Sequence, residues 1–282
     1  MKRLMICGCS YVADSLQPDL VGTGFGHVLA KKLGWDVQIL ARQGSSNGGI
    51  RIQIDEALRE KPDFVIVAPT FHDRMEIPAS AAPYQVNAEL LEQLRSDPNN
   101  KHLFNSPLQN HLQQNQGNGY DPEYGINNLN YRNNPYRIIS ETIFSLAENY
   151  DHPYRAVQID PDTQAAIKQY INFLYDSNWK KQMDQWIIRD GVMQLYFAGI
   201  QFLFVANNLW TTENVRKDFP SVIPDKYFTL DYKLTPAFAT NEYPWKGKLW
   251  AEDPGYHGAP ESQEYLADVY YKIITENFGI TP

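Results

Sequence analysis

The succession of apolar segments predicts an α/β chain: a doubly wound parallel sheet with helices on both faces, three layers in all. Three observations carry this. Apolar runs of strand length alternate with segments of helical period over residues 2–69, and a βαβαβ order with short connections implies parallel strands. The third run, "DFVIVAP" (63–69), is apolar without alternation, as a strand covered on both faces is. A late apolar run and a long amphipathic segment near the carboxyl end supply a further strand and its covering helix.

The elements follow in order. "KRLMIC" (2–7) is a buried strand closed by Gly8. Phe25, Val28, Leu29 and Leu33 stand near helical spacing, and Gly34 stops them. "DVQILA" (36–41) is the second strand and runs into the turn "RQGSSNGG". Ile50, Ile54, Ala57 and Leu58 mark one face of a helix that Lys61-Pro62 ends, and 63–69 is the third strand. After Pro78 the pattern breaks. Residues 97–136 are dominated by Asn, Gln, Gly and Pro, the composition of a long surface excursion or a partly disordered stretch. Helical period resumes from Ile138 to Leu146, then over 161–175 and 180–198, with Ala165, Ile167, Tyr170, Ile171 and Leu174 aligned in the middle segment. "GIQFLFVAN" (199–207) is the fourth strand and "YFTLD" (227–231) a weaker one. "ESQEYLADVYYKIITENFG" closes the chain as a helix, with Tyr265, Leu266, Val269, Tyr270, Ile273 and Ile274 on one face and Gly279 past its end. The expectation is one domain, 1–282, holding a largely helical insertion at 79–198 between strands three and four, either a lid or an interaction subdomain.

Composition narrows the function. A net charge of −8 across 282 residues argues against a nucleic-acid partner, which calls for a basic surface. No apolar run reaches membrane-spanning length, and "MKRLMICGC" is too soon interrupted by Gly for a signal peptide. The expected location is therefore cytoplasmic, with no membrane partner. The two cysteines, Cys7 and Cys9, stand at i and i+2, poorly placed for a mutual bridge and too few for a metal quartet. They read as small buried residues. The aromatic content of 13% suits a sugar-binding or protein-contacting surface as well as an aromatic core.

Loops at the carboxyl ends of parallel strands share one edge of the sheet. The first such loop offers Ser10, the second "GSSN" (44–47), the third "PTFHDR" (69–74), and "EDPGYHGAP" leads into the last helix with Asp253 and His257. A serine hydroxyl becomes a nucleophile when an imidazole takes its proton, and a carboxylate on the far ring nitrogen fixes the tautomer. Donors must face the developing oxyanion; removing one costs about a hundredfold or more in rate. Backbone N–H groups at Ser10 and Gly44, with the Asn47 amide, are the candidates.

This arrangement resembles the SGNH (GDSL-type) hydrolases, whose flavodoxin-like sheet carries Gly-x-Ser after strand one, a Gly after strand two, an Asn after strand three and Asp-x-x-His before the last helix. Gly8-Cys9-Ser10 matches the first block, with Cys9 where Asp is usual; Gly44 matches the second; Asp253 and His257 resemble the last. The likeness covers about the first 76 and the last 80 residues. "GCSY", "GSSN" and T-x3-R-x-E (Thr70, Arg74, Glu76) look especially like SGNH-type proteins encoded by bacteriophages, which would make a virion-associated location the alternative to the cytoplasm. Thr70 stands where the third block has Asn. Asp253 and His257 are four apart instead of three; Pro254-Gly255 can absorb the extra residue as a bulged turn, or Glu252 or a backbone carbonyl can orient the imidazole instead.

The resemblance implies a serine esterase with Ser10, His257 and Asp253 as triad, an oxyanion hole from Ser10, Gly44, Asn47 and Thr70, and substrate contacts from Arg74 and Tyr11. The substrate would be a small ester or an acylated carbohydrate, deacylated without cofactor or metal, and a protein partner would meet the insertion. The rival reading is a binding or structural protein, such as a virion component, on the same scaffold. Taken singly the signals are bland. Ser10 alone is a turn or capping residue, His257 a surface histidine, Ser45 and Ser46 the residues of a helix-entry turn. His72, Asp73 and Glu76 suggest a metal site, but pairing of Arg74 with Asp73 or Glu76 on a solvated loop accounts for them better. Arg74 would either bridge loops around the pocket or meet a substrate carboxylate.

Overall fold

The structure, a computed structural model, describes residues 1–9, 12–13, 22–41, 45–70, 72, 74–78, 84–86, 96, 136–140, 157–159, 161–205, 217–229 and 260–280. Its core is a five-stranded sheet. The strands β1 (Arg3–Gly8), β2 (Asp36–Ile39), β3 (Phe64–Ala68), β8 (Gln201–Val205) and β9 (Phe228–Thr229) stand in the order β2-β1-β3-β8-β9, each pair parallel. Helices α1 (Phe25–Leu33) and α2 (Asn47–Glu60) make the first two crossovers. Helices α3 (Pro161–Phe173) and α4 (Ser177–Phe197) precede β8, and α5 (Pro260–Phe278) ends the fold.

Alternation along the strands builds two cores. Met5, Cys7, Val65, Val67, Phe202 and Phe204 face α2 and α4, meeting Ile54, Ile188, Val192 and Leu195. Leu4, Ile6, Phe64, Ile66, Leu203 and Val205 face α1 and α5, meeting Phe25, Leu29, Leu266 and Tyr270. Every residue of β3 is buried, as its unbroken apolar run requires in a sheet covered on both sides. The three-layer doubly wound architecture is the one expected. Within α5, Leu266, Ala267, Tyr270 and Ile274 form the buried stripe, while Tyr265 is exposed. Gly34 ends α1 at φ 67, a left-handed position that glycine takes without strain.

The interrupted middle differs from expectation in three ways. First, α4 lies within the stretch 79–198 assigned to an insertion, yet it belongs to the sheet. Its Ile188, Val192 and Leu195 are wholly buried in one core with residues of β1, β3 and β8. Second, the segment starting at Ile138 is not helical where described. β6 (Tyr136–Ser140) pairs antiparallel with β4 (Arg74–Pro78), and the neighbouring β-branched residues Ile138 and Ile139 suit a strand better than a helix. The strand β4 also corrects the reading of Arg74 and Glu76 as loop residues. Third, β5 (Tyr84–Val86) and β7 (Val157–Ile159) form another antiparallel pair. The described part of 79–198 is thus mostly helix, α3 and α4, preceded by the short strands β5, β6 and β7. Nearly all of the Asn- and Gln-rich tract 97–136 and the segment 141–146 lie outside the described residues. No helix among the described residues is long and apolar enough to cross a membrane.

Candidate active site

Three strand ends meet at the carboxyl edge of the sheet. Gly8 closes β1 beside Ala68 of β3. An added Cβ at Gly8 would stand 2.2 Å from Val12 Cγ2 and 2.9 Å from the Ala68 carbonyl oxygen, so only glycine fits. The Cys9 carbonyl then accepts from the N–H groups of Val12 (3.0 Å) and Ala13 (3.1 Å), a tight turn immediately after the strand. Ser46 caps α2, its Oγ accepting from Gly49 N–H at 3.1 Å. Ser45 and Ser46 are both buried, which fits their bland reading as helix-entry residues.

The first two turns of α2 carry two primary amides that bind strand ends. Asn47 Oδ1 accepts from Thr70 N–H at 2.9 Å, and Asn47 Nδ2 donates to the Thr70 carbonyl at 3.1 Å. Nδ2 also donates to Asp184 Oδ2 of α4 at 2.9 Å. Gln53 Oε1 accepts from Gly8 N–H at 2.6 Å, while Gln53 Nε2 donates to the Gly8 carbonyl at 3.2 Å and to Ser45 Oγ at 3.3 Å. Asp184, wholly buried, is ion-paired with Lys180 one turn earlier on α4. Arg74 Nη1 donates to the Ser45 carbonyl at 2.6 Å, linking the start of β4 to the entry of α2. Buried polar side chains therefore cross-link the exits of β1, β2 and β3.

The last helix approaches the same edge. Gln263, in the first turn of α5, accepts through Oε1 from Phe25 N–H at the start of α1, 3.0 Å away. The α1 N-terminus receives the chain leaving β1, and Gln263 stands six residues after His257. The start of α5 thus lies beside the start of α1.

Of the sequence-predicted residues, Asn47, Thr70 and Arg74 are described; Ser10, Tyr11, Gly44, Asp253 and His257 lie outside the described residues. Asn47 needs correction. It is wholly buried, and its two side-chain amide hydrogens are matched by two acceptors, the Thr70 carbonyl and Asp184, so its side chain holds the β3 exit and has no amide hydrogen left to turn toward an oxyanion. Arg74 takes the loop-bridging alternative. Thr70 Oγ1 is buried with no hydrogen-bond partner among the described residues. Among those residues no group of three His, Cys, Asp or Glu is close enough to hold a metal ion.

The sequence reading missed Gln53 and Asp184. Both carried a signal: each is a polar residue on a helix's apolar stripe, Gln53 between Ile50 and Ile54, Asp184 one turn before Ile188. Buried polar groups at such positions are there to be hydrogen-bonded.

No family model matches the chain, and no curated protein matches it. Among solved structures, the chain is similar to a protein described as lipolytic and of the G-D-S-L family from Desulfitobacterium hafniense DCB-2, with 12% identity over 97% of this chain and 99% of that one, at a TM-score of 0.31. It is also similar to an acetyl xylan esterase from the rumen bacterium Butyrivibrio proteoclasticus, with 13% identity over 99% of this chain and 64% of that one, at a TM-score of 0.38. Likeness at this level carries no inference about activity.

Proposed function

We propose that the chain is a serine esterase of the SGNH type. Ser10 Oγ attacks the acyl carbonyl as His257 takes its proton; the imidazolium returns that proton to the leaving alcohol, and water then hydrolyses the acyl-enzyme by the same relay. Asp253 orients His257. The N–H groups of Ser10 and Gly44, with Thr70, receive the oxyanion. The observation that carries this reading is the convergence of described neighbours: Gly8 and Ser45, which flank Ser10 and Gly44 in sequence, are joined through Gln53, and the start of α5 meets the start of α1 through Gln263.

An acylated carbohydrate is the substrate we favour. Tyr175, in the joint between α3 and α4, donates its hydroxyl to the His72 carbonyl at 3.2 Å, so this joint abuts the loop that carries Thr70. Just beyond it, Trp179 and Trp186 pair edge to face at 5.7 Å and are both exposed, a surface suited to sugar rings. The withdrawal of Asn47 into the framework supports the second reading, a binding protein on the same scaffold, since it removes one expected donor.

Incubation with p-nitrophenyl acetate and a fluorophosphonate probe separates the two. For the esterase, the probe labels Ser10, and Ser10→Ala and His257→Ala each lower turnover by about 10⁴-fold or more. Folded protein that neither turns over the ester nor takes the label leaves the binding role.

A further inference from the structure

Gln53 occupies a core position. It lies on the inner face of α2 between Ile50 and Ile54, and all three are wholly buried. The pairing of β1 with β2 ends at Ile6 opposite Ile39, whereas its pairing with β3 runs on to Gly8 opposite Ala68. On the β2 side, Ile6 O is the last acceptor of a main-chain N–H among the described residues, taking Leu40 N–H at 2.8 Å and Ala41 N–H at 2.9 Å. Two residues later the N–H and carbonyl of Gly8 turn to that same side, where β2 has already left. Gln53 fills the place. A primary amide offers the donor and acceptor of a peptide group, so one side chain extends the ladder by a residue and joins it to Ser45 Oγ. An apolar residue would be cheaper to bury at a core position; a glutamine is explained by what it holds.

We infer that Gln53 is a positioning residue for the Ser10 hydroxyl. It fixes both polar groups of Gly8, and with them the direction in which the chain leaves β1 two residues before Ser10. The contact of Gly8 with Val12 and Ala68 holds that exit from the other side. The turn closed on the Cys9 carbonyl begins one residue past the strap. The catalytic consequence rests on the esterase reading; the strap does not.

The test uses three variants of the full chain. Gln53→Met keeps the volume and removes all three bonds, the two to Gly8 and the one to Ser45. Gln53→Glu keeps the acceptor and regains a donor only when its carboxyl is protonated. Ile54→Val weakens the same helix without touching Gly8. The measurements are the rate of fluorophosphonate labelling at Ser10, well below the unfolding temperature, and hydrogen exchange of the Gly8 amide. Gln53→Met is expected to label at least about tenfold more slowly and to exchange at Gly8 about tenfold faster, with neither change in Ile54→Val. The labelling rate of Gln53→Glu, divided by that of the wild type, rises as pH is lowered; because the same protonation also restores stability, the ratio is read only where urea midpoints show both proteins fully folded. Labelling of Gln53→Met at the wild-type rate overturns the positioning role. If the wild type takes no label, the esterase reading falls and the catalytic half falls with it. Gly8 exchange then decides the strap: faster exchange in Gln53→Met upholds it, and unchanged exchange overturns it.

Discussion

An asparagine amide has two N–H donors, and Asn47 gives them to the Thr70 carbonyl and to Asp184, while its oxygen takes the Thr70 N–H. Replacing it by leucine, close in volume, takes a partner from three buried groups at once: the Thr70 N–H, the Thr70 carbonyl and the wholly buried carboxylate of Asp184. Each unpaired neutral group costs about 1–3 kcal/mol and a charged one more, while the Lys180 ion pair still compensates Asp184 in part. Asn47→Leu is expected to lose about 3–5 kcal/mol in urea unfolding. A loss below about 1 kcal/mol would show that the amide is not holding the β3 exit and would return Asn47 to the list of oxyanion donors. The sequence shows Asn47 as the last residue of a "GSSN" turn. It does not show Asp184, 137 residues away, whose carboxylate decides which way the amide points.

Elements were legible where their apolar stripe and their end signals agreed. The strands β1 and β3 and the helices α1, α2 and α5 all fall where short-range pattern places them, because consecutive βα units pack against their own neighbours. The misses lie where a segment's partner is remote. The stripe of α4 is plain in Ile188, Val192 and Leu195, but not that it packs on a sheet whose last preceding strand ended at Ala68. β6 took its conformation from β4, some sixty residues earlier. The start of α4 makes its own claim on stability. Asp176 Oδ1 accepts from the N–H groups of Asn178 at 2.8 Å and Trp179 at 2.9 Å, two donors that have no acceptor within the helix. Asp176→Ala is expected to lower stability by about 1 kcal/mol, and Asp176→Asn, which keeps a capping oxygen, by only a few tenths. Urea midpoints of the two variants check this; equal losses would mean that the cap is not the source.

Across the whole molecule, burial sets a limit on stability in alkali. Cys7 lies under α2 and α4, and Tyr270 of α5 packs against α1 with its ring 5.2 Å from Phe25, so one group sits in each core. Burial pushes both pKa values well above their ordinary values of 9.0 for the thiol and 10.0 for the phenol, because the anion loses its hydration. The unfolded chain releases these protons near the ordinary values while the folded chain keeps them. Between the two, the folded state binds more protons, and stability falls as pH rises. Both contributions are fully present below pH 9.0; the thiol's begins to fade there and the phenol's above pH 10.0. Each group adds about 1.4 kcal/mol of loss per pH unit once its unfolded form is ionised. Urea midpoints measured from pH 7 to 11 should therefore be level on account of these groups and then bend downward. In Tyr270→Phe the curve above pH 10.0 is expected to be shallower by that amount, whatever constant offset the lost hydroxyl brings. Cys7→Ala, offset at every pH by its small cavity, is expected to delay the first bend. Wild-type and variant curves that stay parallel through this range would mean that both groups ionise as readily in the folded chain as in the unfolded one, and hence that water reaches the two cores.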